Sequence, residues 1–159
     1  MLTEIKTSIL SLLLITGSLF FIGCADLSNL NTTYGCFRCL CHVYTYCTIS
    51  SECSDEYCGP FNISKSYWIE AGNITLQGDD PDRNDAWKDC ANNYFCAQDI
   101  MKGYLQKFSK DCNDDGMINC YDFLAINSNG GDCRPLNQSL SGRVWLKRYG
   151  ECRAAGLVA

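Results

Sequence analysis

Apolar and polar positions alone divide this chain into unequal regions. A run rich in apolar residues extends from Ile9 to Phe21, between a Lys6-containing start and the small residues Gly23, Cys24 and Ala25. Residues 35 to 72 show no sustained period. Short β-prone pieces, Phe61-Asn-Ile63 and Ser66-Tyr-Trp-Ile69, alternate there with turn residues. Residues 73 to 82 are polar, with Gly78 and Pro81 as breakers, and read as a connector or exposed loop. From Asn84 the period becomes helical, with Ala86, Trp87 and Cys90 on one side and Asp80-Pro81 and Asp82 as start signals. Ala97, Ile100, Met101, Tyr104, Leu105 and Phe108 then recur at three and four residues, predicting a longer helix whose opposite face carries Gln98, Lys102, Gln106 and Lys110. A short helix over about Asn119 to Asn127 should stop near Asn129-Gly130-Gly131. The stretch from Leu140 to Cys152 has a weak period, enough for one turn or two.

The first apolar run is too short for the roughly 20 residues that span a bilayer. It reads as a secretory leader over residues 1 to 25, which implies an exported protein without a membrane span. Cysteine parity agrees. The chain has 13 cysteines, and cutting after Ala25 removes Cys24 and leaves an even set at 36, 39, 41, 47, 53, 58, 90, 96, 112, 120, 133 and 152. A cut before Cys24 would strand one thiol. An even set in an exported chain predicts six disulfides, with a connectivity the spacing does not reveal. Four Asn-x-Ser/Thr sequons, at Asn31, Asn62, Asn73 and Asn137, are candidate glycosylation sites. The remaining chain of about 134 residues is one domain's worth, expected as a monomer. Its net charge of −5 argues against binding nucleic acid or anionic membranes by charge alone.

Two clusters carry candidate metal chemistry. Between the later helices, Asp111, Asn113, Asp115, Met117, Asn119 and Asp122 fall at positions 1, 3, 5, 7, 9 and 12 of a calcium loop, with Gly116 at the sixth. Met117 would offer its backbone carbonyl. The expectation is a structural calcium ion, with Asp122 reaching it less fully than a Glu would; the alternative is an Asp/Asn-rich turn without an ion. The other cluster is Cys36-x-x-Cys39 with Cys41-His42, zinc-ligand types at short spacing. Export and even parity favour disulfides there, leaving His42 as a surface or packing residue.

The spacing Cys36-x-x-Cys39-x-Cys41-x5-Cys47, followed by Cys58-Gly-Pro-Phe-Asn-Ile63 and Tyr67-Trp-Ile-Glu-Ala-Gly72, resembles the invertebrate-type lysozymes, the destabilase group included. Cys90-Ala-Asn-Asn-Tyr-Phe-Cys-Ala97, Tyr104 and Asn129-Gly-Gly131 extend the resemblance over residues 36 to 152, leaving 26 to 35 and 153 to 159 as short ends. The segment from Asp111 and the Ala at position 71 look most like the insect branch. The resemblance implies a small disulfide-rich α+β lysozyme-like fold, a cysteine-rich β/loop lobe followed by a helical lobe. It also implies cleavage of the β-1,4 bond of bacterial peptidoglycan, in defence or digestion, with no cofactor. Relatives often have Cys where this chain has Ala71 and Ile100, so one bridge would be lost whole.

Glycosidases of this kind need two carboxyl groups, one protonated and one ionised, about 5 Å apart in a retaining enzyme. Where the resemblance places the acid Glu, this chain has Tyr44. A phenol with an ordinary pKa near 10 is a far weaker acid than a carboxyl raised to about 6. The second carboxylate would be Asp55 or Glu56, and Glu52 or Glu70 could supply the acid only if the fold brought one of them to the site. The His that relatives place before Asn-Gly-Gly is Ser128, so no nucleophile and base pair is visible either. Two readings remain open: a wall-directed lysozyme with weak or absent muramidase activity, or a non-catalytic homologue binding peptidoglycan or a chitin-like glycan through Tyr44, Tyr46, Tyr67 and Trp68. Core packing is the competing assignment for Tyr67 and Trp68.

Overall fold

The computed structural model describes residues 34–49, 53, 54 and 56–158. The leader over 1 to 25, the sequon at Asn31, Glu52 and the candidate Asp55 lie outside the described residues.

The cysteine-dense stretch is a helix, α1 (Tyr34–Thr45), where the sequence pattern suggested a β/loop lobe. The reason lies in what its cysteines become. Cys36, Phe37, Cys39, Leu40, Cys41 and Val43 are all buried, and a bridged cysteine packs as an apolar side chain. Counted that way, positions 36, 39, 40 and 43 follow the helical period. The chain leaves α1 through Tyr46 and Cys47, both at positive φ, while the Cys47 amide donates to the Cys41 carbonyl at 3.0 Å. The Cys41–Cys47 bridge closes over that turn.

Two short strands follow, β1 (Tyr57–Cys58) and β2 (Ile63–Ser64), paired antiparallel with Cys58 opposite Ile63. Their connecting turn requires Gly59: φ is +71°, and a Cβ there would sit 1.7 Å from the Ala91 carbonyl oxygen. The second β-prone piece, Ser66 to Ile69, instead forms α2 (Lys65–Glu70), started by the Ser64 side chain accepting from the Tyr67 amide.

The helical half holds α3 (Ala86–Asn92), α4 (Tyr94–Phe108), α5 (Cys120–Asn129), a 3-10 turn (Leu136–Gln138) and α6 (Leu140–Ala154). The long periodic run was read correctly as α4, with one change: Gln98, assigned to the solvent face, is buried. Asn93 starts α4 by accepting from the Phe95 and Cys96 amides. Gly130, in the left-handed region at φ 65°, ends α5. The final helix is far longer than one turn or two, at 15 residues. Its period is weak because few of its side chains are buried, among them Tyr149 and Cys152. Packing against α1 and the 3-10 turn, rather than a continuous apolar stripe, holds α6.

Six disulfides tie these elements together. Cys36–Cys120 joins α1 to the start of α5, and Cys39–Cys152 joins α1 to α6. Cys53–Cys58 braces the hairpin and Cys90–Cys96 the corner between α3 and α4. Cys112–Cys133 links the segments before and after α5. Ala71 and Ile100, where the family resemblance implies a bridge lost whole, are both buried in one core cluster. Among the described residues no helix is long and apolar enough to cross a membrane.

The bridges differ in the length of chain they close. Replacing Cys36 and Cys120 together by Ser opens an 84-residue span, whereas Cys41 and Cys47 close only six residues. Loop-closure entropy sets expected losses of about 4–5 kcal/mol for the first pair and about 2 kcal/mol for the second. Guanidinium unfolding of the two double variants without reductant measures this, and equal losses would contradict the entropic account.

Candidate functional site

A cleft of about 240 Å³ opens between the hairpin side and the α1–α5–α6 side of the molecule. Its aromatic walls are Tyr44 from α1, Tyr57 and Phe61 from the hairpin, Tyr67 from α2, Tyr104 from α4 and Trp145 from α6. Asn62, Ser64, Ser66, Asn127, Ser128 and Gly130 supply the polar remainder. Among the described residues no carboxylate lines the cleft.

Tyr44 is held on every side. Its one hydroxyl proton is directed at Ser128 Oγ, 2.9 Å away, with the Leu124 carbonyl a longer shared acceptor at 3.3 Å. Ser128 itself donates to the same carbonyl at 2.6 Å. The Tyr44 ring meets Trp145 edge-on, centroids 5.4 Å apart. Its backbone is fixed from α6, because Arg148 Nη1 donates to the Val43 and Tyr44 carbonyls at 2.6 and 3.3 Å. These are last-turn carbonyls of α1, which a cation naturally satisfies. Burial pushes the Tyr44 phenol up to about 12, against the smaller downward pull of its hydrogen bonds to Ser128 and Asn127. At neutral pH it keeps its proton.

Tyr67 lies flat on Tyr104, ring centroids 3.8 Å apart and planes 15° from parallel. Its hydroxyl is buried without a partner among the described residues. Burial, then the neighbouring Tyr44 and Tyr104 phenols, holds its pKa well above the ordinary value. Tyr104 is pushed up to about 12 by burial, then by the negative Glu70 carboxylate and the hydrogen bond to it. Glu70 is exposed at the end of α2 and lies outside the cleft lining.

The other residues singled out from the sequence separate. Tyr46 is exposed just after α1 and does not line the cleft, with Arg148 stacked 4.0 Å over its ring and His42 edge-on to it. His42 pairs with Glu151 at 3.2 Å, bridging α1 to α6, in keeping with a surface residue rather than a ligand. Trp68 is buried, and its indole N–H donates to the Ile74 carbonyl at 2.6 Å. It faces a second depression with Asn73, Arg83 and Trp87. Glu56 is exposed on the turn before β1 and does not line the cleft. Sequence reasoning did not find Tyr57, Tyr104, Asn127 or Trp145, which reach the cleft from four separate elements and share no local motif.

The calcium-loop residues are committed elsewhere. Asp122 is fully buried, and its two oxygens accept from the Cys112 and Asn119 amides, each at 2.7 Å. The second of these completes a capping box with Asn119, whose side chain accepts from the Tyr121 amide. Asp111 accepts from the Gly116 amide at 2.7 Å, and Asn113 donates to Asp115 at 2.8 Å. Asp115 also accepts from the Met117 amide, while the Met117 side chain is exposed. A calcium ion needs oxygens with free lone pairs turned to one centre. Here Asp111, Asp115 and Asp122 accept backbone N–H groups, and among the described residues no three His, Cys, Asp or Glu side chains are grouped to hold a metal. Nothing in this geometry supports a bound ion, and what it does show is a helix-starting turn.

Comparison with known proteins places this geometry. Residues 33–152 match the model of the Destabilase family. The chain is 30% identical to lysozyme 1 of Crassostrea virginica over 109 residues, 64% of this chain and 52% of that protein. It is likewise 30% identical to a lysozyme of Magallana gigas over 117 residues, 70% and 74% of the two. It thus spans about half the length of the first relative. An inhibitor-bound lysozyme of Meretrix lusoria superposes with TM-score 0.55 at 21% identity, covering 75% of this chain and 88% of that one.

Two measurements check these assignments. The Tyr44 and Tyr104 phenols, raised to about 12, should ionise in a late step of a phenolate absorbance titration, and Tyr44→Phe should shrink that step. Because each phenol has a higher pKa folded than unfolded, the stability it contributes is complete below about pH 10 and is lost as pH rises toward about 12. Asp122→Ala strands two N–H groups and should cost about 2–4 kcal/mol. The melting temperature should not differ between chelator and millimolar calcium; a calcium-dependent rise would restore the metal reading.

Proposed function

Because the chain belongs to the destabilase family of invertebrate-type lysozymes, we propose that it is a secreted member that holds bacterial cell-wall glycan in its aromatic cleft and has little or no muramidase activity. One observation carries this reading: the cleft keeps aromatic surface that sugars could stack on, and no carboxylate is among its described lining residues. Aromatic faces pack on the apolar faces of pyranose rings, and the hydroxyl and amide groups between them answer sugar hydroxyls. Tyr44 and Ser128 stand where relatives have an acid and a His, and they hydrogen-bond each other. Tyr44 cannot replace the acid, since a phenol at about 12 would donate its proton to a leaving oxygen many orders of magnitude less readily than a carboxyl near 6.

Secretion and a monomeric state belong to the proposal. Six disulfides need an oxidising compartment, and the apolar run at the start of the chain would supply the export signal. Peptidoglycan is the proposed partner, a chitin-like polymer being chemically close, and the role is in defence or digestion. Asp55 or Glu56 would be the surviving second carboxylate in any residual hydrolysis.

Purified protein should sediment with insoluble peptidoglycan without clearing a bacterial cell-wall suspension. Tyr44→Phe should bind about as well as wild type, and Tyr44→Glu should bind without gaining full activity unless a second carboxylate is in reach. Clearing by the wild-type protein would overturn catalytic silence, and failure to sediment would overturn glycan binding.

A further inference from the structure

Of the three described sequon asparagines, Asn62 is the one that lines the aromatic cleft. It ends the Gly59–Asn62 turn, its amide donating to the Gly59 carbonyl at 3.1 Å. Its φ of 56° is a left-handed conformation that Asn adopts more readily than most residues. Its neighbours Phe61 and Ile63 are buried while Asn62 is exposed. Its side-chain amide makes no hydrogen bond among the described residues, so folding leaves the nitrogen open to solvent at the rim. The sequon is completed by Ile63 and Ser64, with no proline to block it.

We propose that Asn62 carries an N-linked glycan whose first two sugars lie in the cleft, so that the chain supplies its own competing ligand. The proposal rests on the glycan-binding reading of the cleft and adds a form of regulation to it. Attachment uses a lipid-diphosphate-linked oligosaccharide. The Asn62 amide nitrogen loses one proton and bonds to the anomeric carbon, the bond from that carbon to diphosphate breaks, and the lipid diphosphate leaves with the electron pair. Nothing is oxidised or reduced. The sugars nearest the asparagine are two β-1,4-linked acetamidoglucose units, the same chemical class as chitin and the amino-sugar backbone of peptidoglycan. A ligand attached at the rim needs no diffusion to reach Tyr57, Tyr67 and Trp145. A short tether gives an effective concentration of about 1 mM, so a cleft with an intrinsic Kd of about 0.1 mM would be closed to outside polymer roughly tenfold.

Neither other described sequon has this relation to the cleft. Asn73 borders the second depression, and Asn137 lies on the 3-10 turn beside α6, its carbonyl accepting from Arg143. They serve as internal controls.

The test uses full-length protein secreted from a eukaryotic host. Peptide mass mapping should find Asn62 modified. Under native conditions an endoglycosidase should release the Asn62 glycan at least about tenfold more slowly than the Asn137 glycan, with the difference gone after denaturation. Asn62→Gln should bind chitotetraose, followed by tryptophan fluorescence, about tenfold more tightly than wild type. Asn62→Asp, which tolerates the positive φ better, should repeat the result, and Asn137→Gln should not. A bare Asn62, equal release from the two sites, or equal affinity of wild type and Asn62→Gln would overturn self-docking. Equal tight binding with quick release removes self-docking alone. If neither form binds chitotetraose and release is quick, the glycan-binding reading falls as well.

Discussion

The position of α1 is the constraint on which the rest of this molecule depends. One helix is bridged to α5 through Cys36–Cys120 and to α6 through Cys39–Cys152, and both links close long spans of chain. Those spans could not be held by the small two-stranded sheet, which contributes two residues per strand. Arg148 adds a polar link at the same place by satisfying the last carbonyls of α1 from α6. Once α1 is fixed against both helices, Tyr44 has one available position, between Ser128 of α5 and Trp145 of α6.

That position lets a phenol occupy the place where the family resemblance implies an acid. A carboxyl buried among aromatic rings would need its charge or proton managed by neighbours, whereas a phenol fills the same space and satisfies itself with one hydroxyl and one carbonyl. Under the proposed function the Tyr44–Ser128 pair would be a stable replacement for a reactive arrangement. Tyr67 and Tyr104 continue the aromatic floor by stacking. The result is an aromatic cleft wall, with Glu70 acting on Tyr104 from outside the described lining.

The loop before α5 shows a related economy. Its Asp and Asn residues sit at the spacing of a calcium loop, but a short carboxylate at position 122 reaches back to the amides of Asn119 and Cys112. A carboxylate has about four lone-pair sites, and a pattern of oxygen-bearing residues cannot say how they divide between backbone N–H groups and a cation. Here each Asp122 oxygen accepts one N–H, from Cys112 and from Asn119 at the helix start.

The long periodic helix α4, the stop at Gly130, the even cysteine set and the family resemblance were legible in the residues themselves, because each depends on local spacing or on a count. The helical state of α1 was hidden by cysteines that behave as apolar residues only after pairing. The final helix was hidden because distant packing, not its own pattern, stabilises it. The absence of an acid at position 44 could be read from the chain, and so could Ser128; that the two touch could not. Tyr57, Tyr104, Asn127 and Trp145 reach one cleft from elements far apart in sequence, through bridges whose pairing spacing does not specify. By itself the sequence determined which chemical groups this protein has and lacks. Only the tertiary structure decided which of them meet, because contacts between distant segments are set by the whole chain's packing and cross-links, and no local stretch contains that information.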